Sequence, residues 1–149
     1  MSSIVIDTCV MRLYNAPLDP KYMELFKWLT TSGELYVTQK LINEYLGTQN
    51  RNVSILLTQL LKNSEESSKK TYPRAVKLSK KDIDSFSDDK RYNYTCNKED
   101  VYHAKLVFLS PRKKLISQDK KIVSDVNNFK KVDGIKPEAE IKPDRIFYI

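Results

Sequence analysis

Apolar residues in this chain fall alternately into short runs and helical spacings. Ser3–Asp7 is an apolar run closed by an acid, the pattern of a strand buried on both faces of a parallel sheet. Beyond Pro17 and Pro20, residues Tyr22, Leu25, Phe26 and Leu29 recur at helical spacing. Pro20 stands at the start of that helix and Gly33 at its stop. Glu34–Thr38 predicts a second strand, and Thr38 caps a helix that carries Glu44 and ends near Gly47. Asn52–Lys62 predicts a further helix and Ala75–Leu78 a short strand. Ser79, with Asp82 at N3, caps a helix through Phe86. The polar stretches Ser64–Thr71 and Ser87–Thr95 read as loops. Asn97 caps a helix over Lys98–Leu109 with Glu99 and Asp100 in its first turn, and Pro111 ends it. Lys114–Ser117 predicts a strand, Asp119–Phe129 a helix, and Arg145–Ile149 a last strand. Short strands separated by helices predict βαβ units. The expected fold is α/β, a three-layer α/β/α sandwich around a mainly parallel sheet, in one domain over residues 1–149.

Composition narrows the chemistry. With three glycines, neither a P-loop nor a GxGxxG turn can be written, so nucleotide cradles of those kinds are excluded. Cys9 and Cys96 have no zinc-type spacing and are expected to be free, buried thiols. His103 is the only histidine; a packing or helix-surface role is expected for it, since nothing around it suggests a Ser-His-Asp triad. No run approaches the roughly 18 apolar residues of a membrane helix, and the N-terminus lacks signal-peptide character, so a cytoplasmic protein without a membrane partner is expected.

The formal net charge is +7, from 26 Lys and Arg against 19 Asp and Glu. A basic surface attracts polyanions. Lys69, Lys70, Arg74 and Arg91 lie in the Lys-rich segment 62–97, and Arg112 and Lys113 form a second run; all six are candidate phosphate contacts. Tyr72, Tyr92 and Tyr94 lie among the first group, where packing under a loop is expected over stacking on bases.

Against this background four acids stand out. Each has an ordinary explanation alone: Asp7 and Asp119 as helix caps, Glu44 as a surface acid, Asp100 as a helix-dipole acid. Together, two follow predicted strands and two ride on helices. Ligands of α/β sheets bind at the carboxyl ends of strands, and four carboxylates gathered there cannot all stay ionised without a cation. That implies Mg²⁺ or Mn²⁺ and phosphate chemistry. Thr8 and Ser117 are supporting hydroxyls for a carboxylate or a water. Asp125, about 240° round the helix from Asp119, is expected at the surface.

In this order the motifs resemble the PIN-domain ribonuclease family. Ile4-Val-Ile-Asp-Thr8 is similar to its opening strand and first acid, and Leu41-Ile-Asn-Glu-Tyr-Leu46 to its second-acid helix. Asp100-Val-Tyr-His-Ala104 is similar to its third acid with a small residue following, and Leu115-Ile-Ser-Gln-Asp119 to its last strand and acid. The resemblance implies a PIN-like fold and a metal-dependent endonuclease acting on RNA, or on single-stranded DNA. Asp7, Asp100 and Asp119 would be ligands, and Glu44 a ligand or a holder of metal-bound water. The small size is similar to VapC-like toxins, which implies a homodimer and a small antitoxin partner. Segment 62–97 matches none of these motifs and is expected to be a basic variable insert. The alternative is a PIN-like module that binds nucleic acid or a partner without catalysis.

Overall fold

The computed structural model describes residues 2–14, 18–65, 70–87 and 92–149. Its elements run β1 (Ser3–Ile6), α1 (Thr8–Met11), α2 (Pro20–Ser32), β2 (Glu34–Val37), α3 (Gln39–Gly47), α4 (Arg51–Glu65), β3 (Arg74–Lys77), α5 (Lys80–Asp84), α6 (Lys98–Leu109), β4 (Lys114–Ile116), α7 (Lys120–Asn128), β5 (Glu138–Glu140) and α8 (Arg145–Tyr148). The five strands form one sheet in the order β3-β2-β1-β4-β5, and every pairing is parallel. Helices flank the sheet in a three-layer α/β/α arrangement. β1 lies in the middle, and all four of its residues are buried. The chain first builds outward from β1 to β2 and β3, then returns to the other side of β1 for β4 and β5. The strand order therefore reverses between β1 and β4.

Most local signals act as expected. Thr38 Oγ1 accepts from Leu41 N, Ser79 and Asp82 close a reciprocal capping box, and Asn97 Oδ1 accepts from Asp100 N. Gly33 ends α2 where a Cβ would stand 2.8 Å from Leu29 Cα, so no larger residue fits. β3 draws the middle of segment 62–97 into the sheet: Ala75 is fully buried opposite Leu35, and Ile83 of α5 joins the core. That part of the segment is structural. Residues 66–69 and 88–91 lie outside the described residues.

Three expectations are corrected. The last strand is Glu138–Glu140, where Ala139 points inward between two exposed acids, and Arg145–Tyr148 is a short helix. The carbonyls that a strand there would offer to a ladder are already taken. Arg112 donates to Tyr148 O and Ile149 O, and Lys114 Nζ donates to Phe147 O. At the outer edge of β5, the Asn127 amide donates to Ala139 O and accepts from Ala139 N, in place of a sixth strand. The helix opened by Ser79 stops at Asp84, and Phe86 turns in against Phe108 and Phe129. Finally, Asp125 is not a surface acid but is 1% exposed. It accepts from Thr95 N, Thr95 Oγ1, Cys96 N and Tyr92 OH at 2.9–3.1 Å. Helical phase assigned it to solvent because the segment that folds over α7 has no periodicity to announce it. Tyr92 meets Tyr94 and Phe129 edge-on there, and Tyr94 stacks on Phe129, as expected of half-buried tyrosines.

Asp125 thus fastens the segment leading into α6. Burial opposes its ionisation, but the Cys96 thiol and the Thr95 and Cys96 amides outweigh that and hold its pKa below the ordinary 3.8. Asp125→Ala leaves two amides without an acceptor and is expected to cost about 2–4 kcal/mol in urea unfolding at pH 7. Because the folded pKa is depressed, the part of this contribution that depends on ionisation is present above about pH 4 and lost at lower pH, so the gap between the two proteins narrows in acid.

Candidate functional site

The acids are set by the ends of the parallel strands. Asp7 directly follows β1, and its backbone N continues the ladder to Ile116 O of β4 at 2.9 Å. Its carboxylate turns to cap α1, with Oδ1 accepting from Thr8 N at 2.8 Å. Asp119 follows β4 by three residues and caps α7 through Lys121 N at 2.9 Å. These two acids therefore flank the reversal of strand order, where α/β sheets open a crevice at their carboxyl edge. Asp100 stands in the first turn of α6 and Glu44 in the middle of α3.

Hydroxyls stitch these positions together. Ser117 is fully buried; its Oγ donates to Asp7 Oδ2 at 2.6 Å and accepts from Asp119 N at 3.0 Å. Thr8 Oγ1 donates to Glu44 Oε1 at 3.2 Å. Ser117 thus joins two acid positions through its hydroxyl, and Thr8 joins two through its hydroxyl and its backbone N. Beneath them, the Tyr45 hydroxyl donates to Ile6 O, and its pKa is driven well above the ordinary value by burial and then by Asp7 and Glu44. Cys9 is half-buried, with Sγ accepting from Gln118 N at 3.3 Å. Burial and the neighbouring Asp7 push its thiol pKa up, so it stays protonated.

The other three acids act on Asp100. The Asp100 carboxyl is pushed up to about 6, first by burial, then by the negative charges of Asp7 and Asp119, with Glu44 adding and His103 opposing. All four acids therefore act within one field. Among the described residues no three of His, Cys, Asp or Glu are grouped as the ligands of a single ion, so the acids share a field rather than a formed ligand shell. Burial alone would raise the Glu44 pKa; His103 and Thr8 more than reverse this.

His103, expected to pack or to lie on the helix surface, is 2% exposed and holds Glu44, with Nε2 2.6 Å from Oε2. Its signal in the sequence was its position three residues after Asp100, which puts both on one face of α6. Lys40 of α3, Lys98 of α6, and Lys120 and Lys121 of α7 also went unremarked. The last three are exposed within two residues of Asp100 or Asp119, and Lys40 acts on Glu44 while its Nζ lies 5.2 Å from the Tyr102 ring centre.

The expected phosphate contacts fare differently. Lys113 is 3% exposed and donates to Ser110 O at 3.0 Å. The Arg112 guanidinium is engaged by the carbonyls of Ser3, Tyr148 and Ile149. Arg74 faces Glu34 at 3.5 Å in an ion pair whose Nε lacks hydrogen-bond alignment. These three stand at the amino edge of the sheet, opposite the acids, where partners within the fold already engage them. Lys70 is exposed; Lys69 and Arg91 lie outside the described residues. A separate groove of about 210 Å³ lies between α2 and α8, walled by Trp28, Lys27 and Arg145. Among the described residues no helix is long and apolar enough to cross a membrane.

Comparison of the chain with protein-family models, curated proteins and solved structures gives no match in any of the three.

The raised Asp100 pKa has a thermodynamic consequence. Between about pH 4 and 6 the folded state holds a proton that the unfolded chain releases, so this carboxyl lowers stability as pH rises through that window. Asp100→Asn in EDTA is expected to melt higher than the parent at pH 7.5, with the gain gone near pH 4. Thermal unfolding against pH checks it.

Proposed function

We propose that this protein is a PIN-like, metal-dependent endoribonuclease that hydrolyses phosphodiester bonds with Mg²⁺ or Mn²⁺. The observation that carries the reading is Asp100 at the carboxyl edge of the sheet, whose ionisation is resisted first by burial and then by the charges of Asp7, Asp119 and Glu44. A divalent cation relieves that repulsion. The donors fit a hard cation, because they are carboxylates joined by hydroxyls and the nearest thiol, Cys9, is kept protonated.

Asp7, Asp100 and Asp119 would hold the ion, with Glu44 on it or on one of its waters. When bound, the ion would lower the pKa of a coordinated water and polarise a phosphoryl oxygen. The remaining work falls to the chain. Ser117 fixes the Asp7 carboxylate and the backbone of Asp119 in one step. Thr8 and His103 orient Glu44. Lys98, Lys120 and Lys121 suit phosphates approaching the acids. An RNA target, a toxin-type or RNA-processing role in the cytoplasm, a homodimer and an antitoxin partner all rest on the resemblance of the four motifs.

Purified protein with Mn²⁺ or Mg²⁺ is expected to cut RNA internally and to stop in EDTA. Asp7→Asn is expected to lose on the order of 100-fold in rate. Equal cutting by the variant removes these acids from the chemistry. Binding of RNA in EDTA with no cleavage in any metal favours a silent binding module instead.

A further inference from the structure

Glu44 is the acid least constrained by its own backbone. It has three rotatable side-chain bonds, sits mid-helix, and its side chain is 36% exposed. Asp7 and Asp119, by contrast, are pinned as caps. Two contacts hold Glu44: Thr8 Oγ1 on Oε1 at 3.2 Å and His103 Nε2 on Oε2 at 2.6 Å. The imidazole end of the second contact is walled in at 2% exposure. It cannot follow the carboxylate outward, so the carboxylate comes to it.

The other ring nitrogen makes this contact informative. Nδ1 of His103 is buried and has no hydrogen-bond partner among the described residues. A buried polar atom left unpaired is costly, and a leucine or phenylalanine would fill the space without it. The ring's polar return among the described residues is its bond to Glu44. His103 also shares α6 with Asp100, three residues away. One rigid helix thus carries one acid of the site and the anchor for another.

We propose that His103 is a positioning residue, tying Glu44 on α3 to α6 and so fixing the separation of Glu44 and Asp100. This rests on the metal-site reading above. It acts through Glu44 and needs no contact with substrate. Second-sphere partners of this kind change metal affinity by about 10–100-fold when removed.

The test is Mn²⁺ binding, measured by calorimetry or by loss of the free-ion paramagnetic signal, without substrate. The proteins are the parent, His103→Ala, His103→Gln, Glu44→Ala and the His103→Ala/Glu44→Ala pair. His103→Ala is expected to weaken Mn²⁺ binding by roughly 10-fold or more. His103→Gln, whose amide can still donate to a carboxylate, recovers part of the loss, and it carries the test if the alanine variant does not fold. The double variant binds no more weakly than Glu44→Ala alone, because His103 acts only through Glu44. Parent-like binding by both His103 variants, or losses that add in the double variant, overturns the positioning role while leaving the metal site standing. A parent that binds no Mn²⁺ overturns the metal reading and this proposal together.

Discussion

Negative charge confined to one edge of a parallel sheet is the constraint that the rest of this structure answers. Parallel strands deliver their carboxyl ends to the same side, and here β1 and β4 deliver Asp7 and Asp119 beside each other. The fold makes that tolerable with what parallel topology also delivers, namely helix N-termini. Asp7 caps α1, Asp119 caps α7, and Asp100 lies in the first turn of α6. Each places a carboxylate near the positive end of a peptide dipole array. The Ser117 and Thr8 hydroxyls then distribute hydrogen bonds among the acids. Asp100 is where this compensation falls short.

The opposite edge mirrors the arrangement. Arg74, Arg112, Lys113 and Lys114 stand where strands begin, and carbonyls receive three of them. Lys113 meets Ser110 O at the end of α6, while Arg112 and Lys114 meet the carbonyls of the C-terminal turn. Cations belong at helix C-termini for the reason that anions belong at N-termini. The chain is therefore polarised along its strands, with the four acids at one end and these partly or fully buried cations at the other. A high net positive charge does not by itself say where a polyanion would lie.

Much of the architecture was legible because its signals are local. Caps at Thr38, Ser79 and Asn97, the stop at Gly33, and the buried run of β1 each depend on a few neighbouring residues. The acid positions were legible for the same reason, since a strand followed by an acid is a local pattern. What escaped notice depends on partners far along the chain. Asp125 is buried by Tyr92, Thr95 and Cys96, and periodicity within α7 cannot report a segment that folds over it. Arg112 and Lys113 read as candidate phosphate contacts, but their acceptors at Ser3, Ser110 and the C-terminal turn become visible only in three dimensions. Phe147 and Ile149 suggested a strand until Arg112 and Lys114 claimed the carbonyls around them.

The middle position of β1 also dictates an order of assembly. It precedes the other four strands in the chain, yet Val5 pairs with Leu115 and Ile6 with Ile116. While the chain is being synthesised, β1 can gain β2 on one side, but its other ladder edge stays open until β4 has emerged. Long-range pairing of this kind slows folding and leaves strand edges exposed in the interval. The sheet's most buried strand is therefore also the one that waits longest for its second neighbour, and the Asp7–Ser117 bond cannot form before that neighbour arrives.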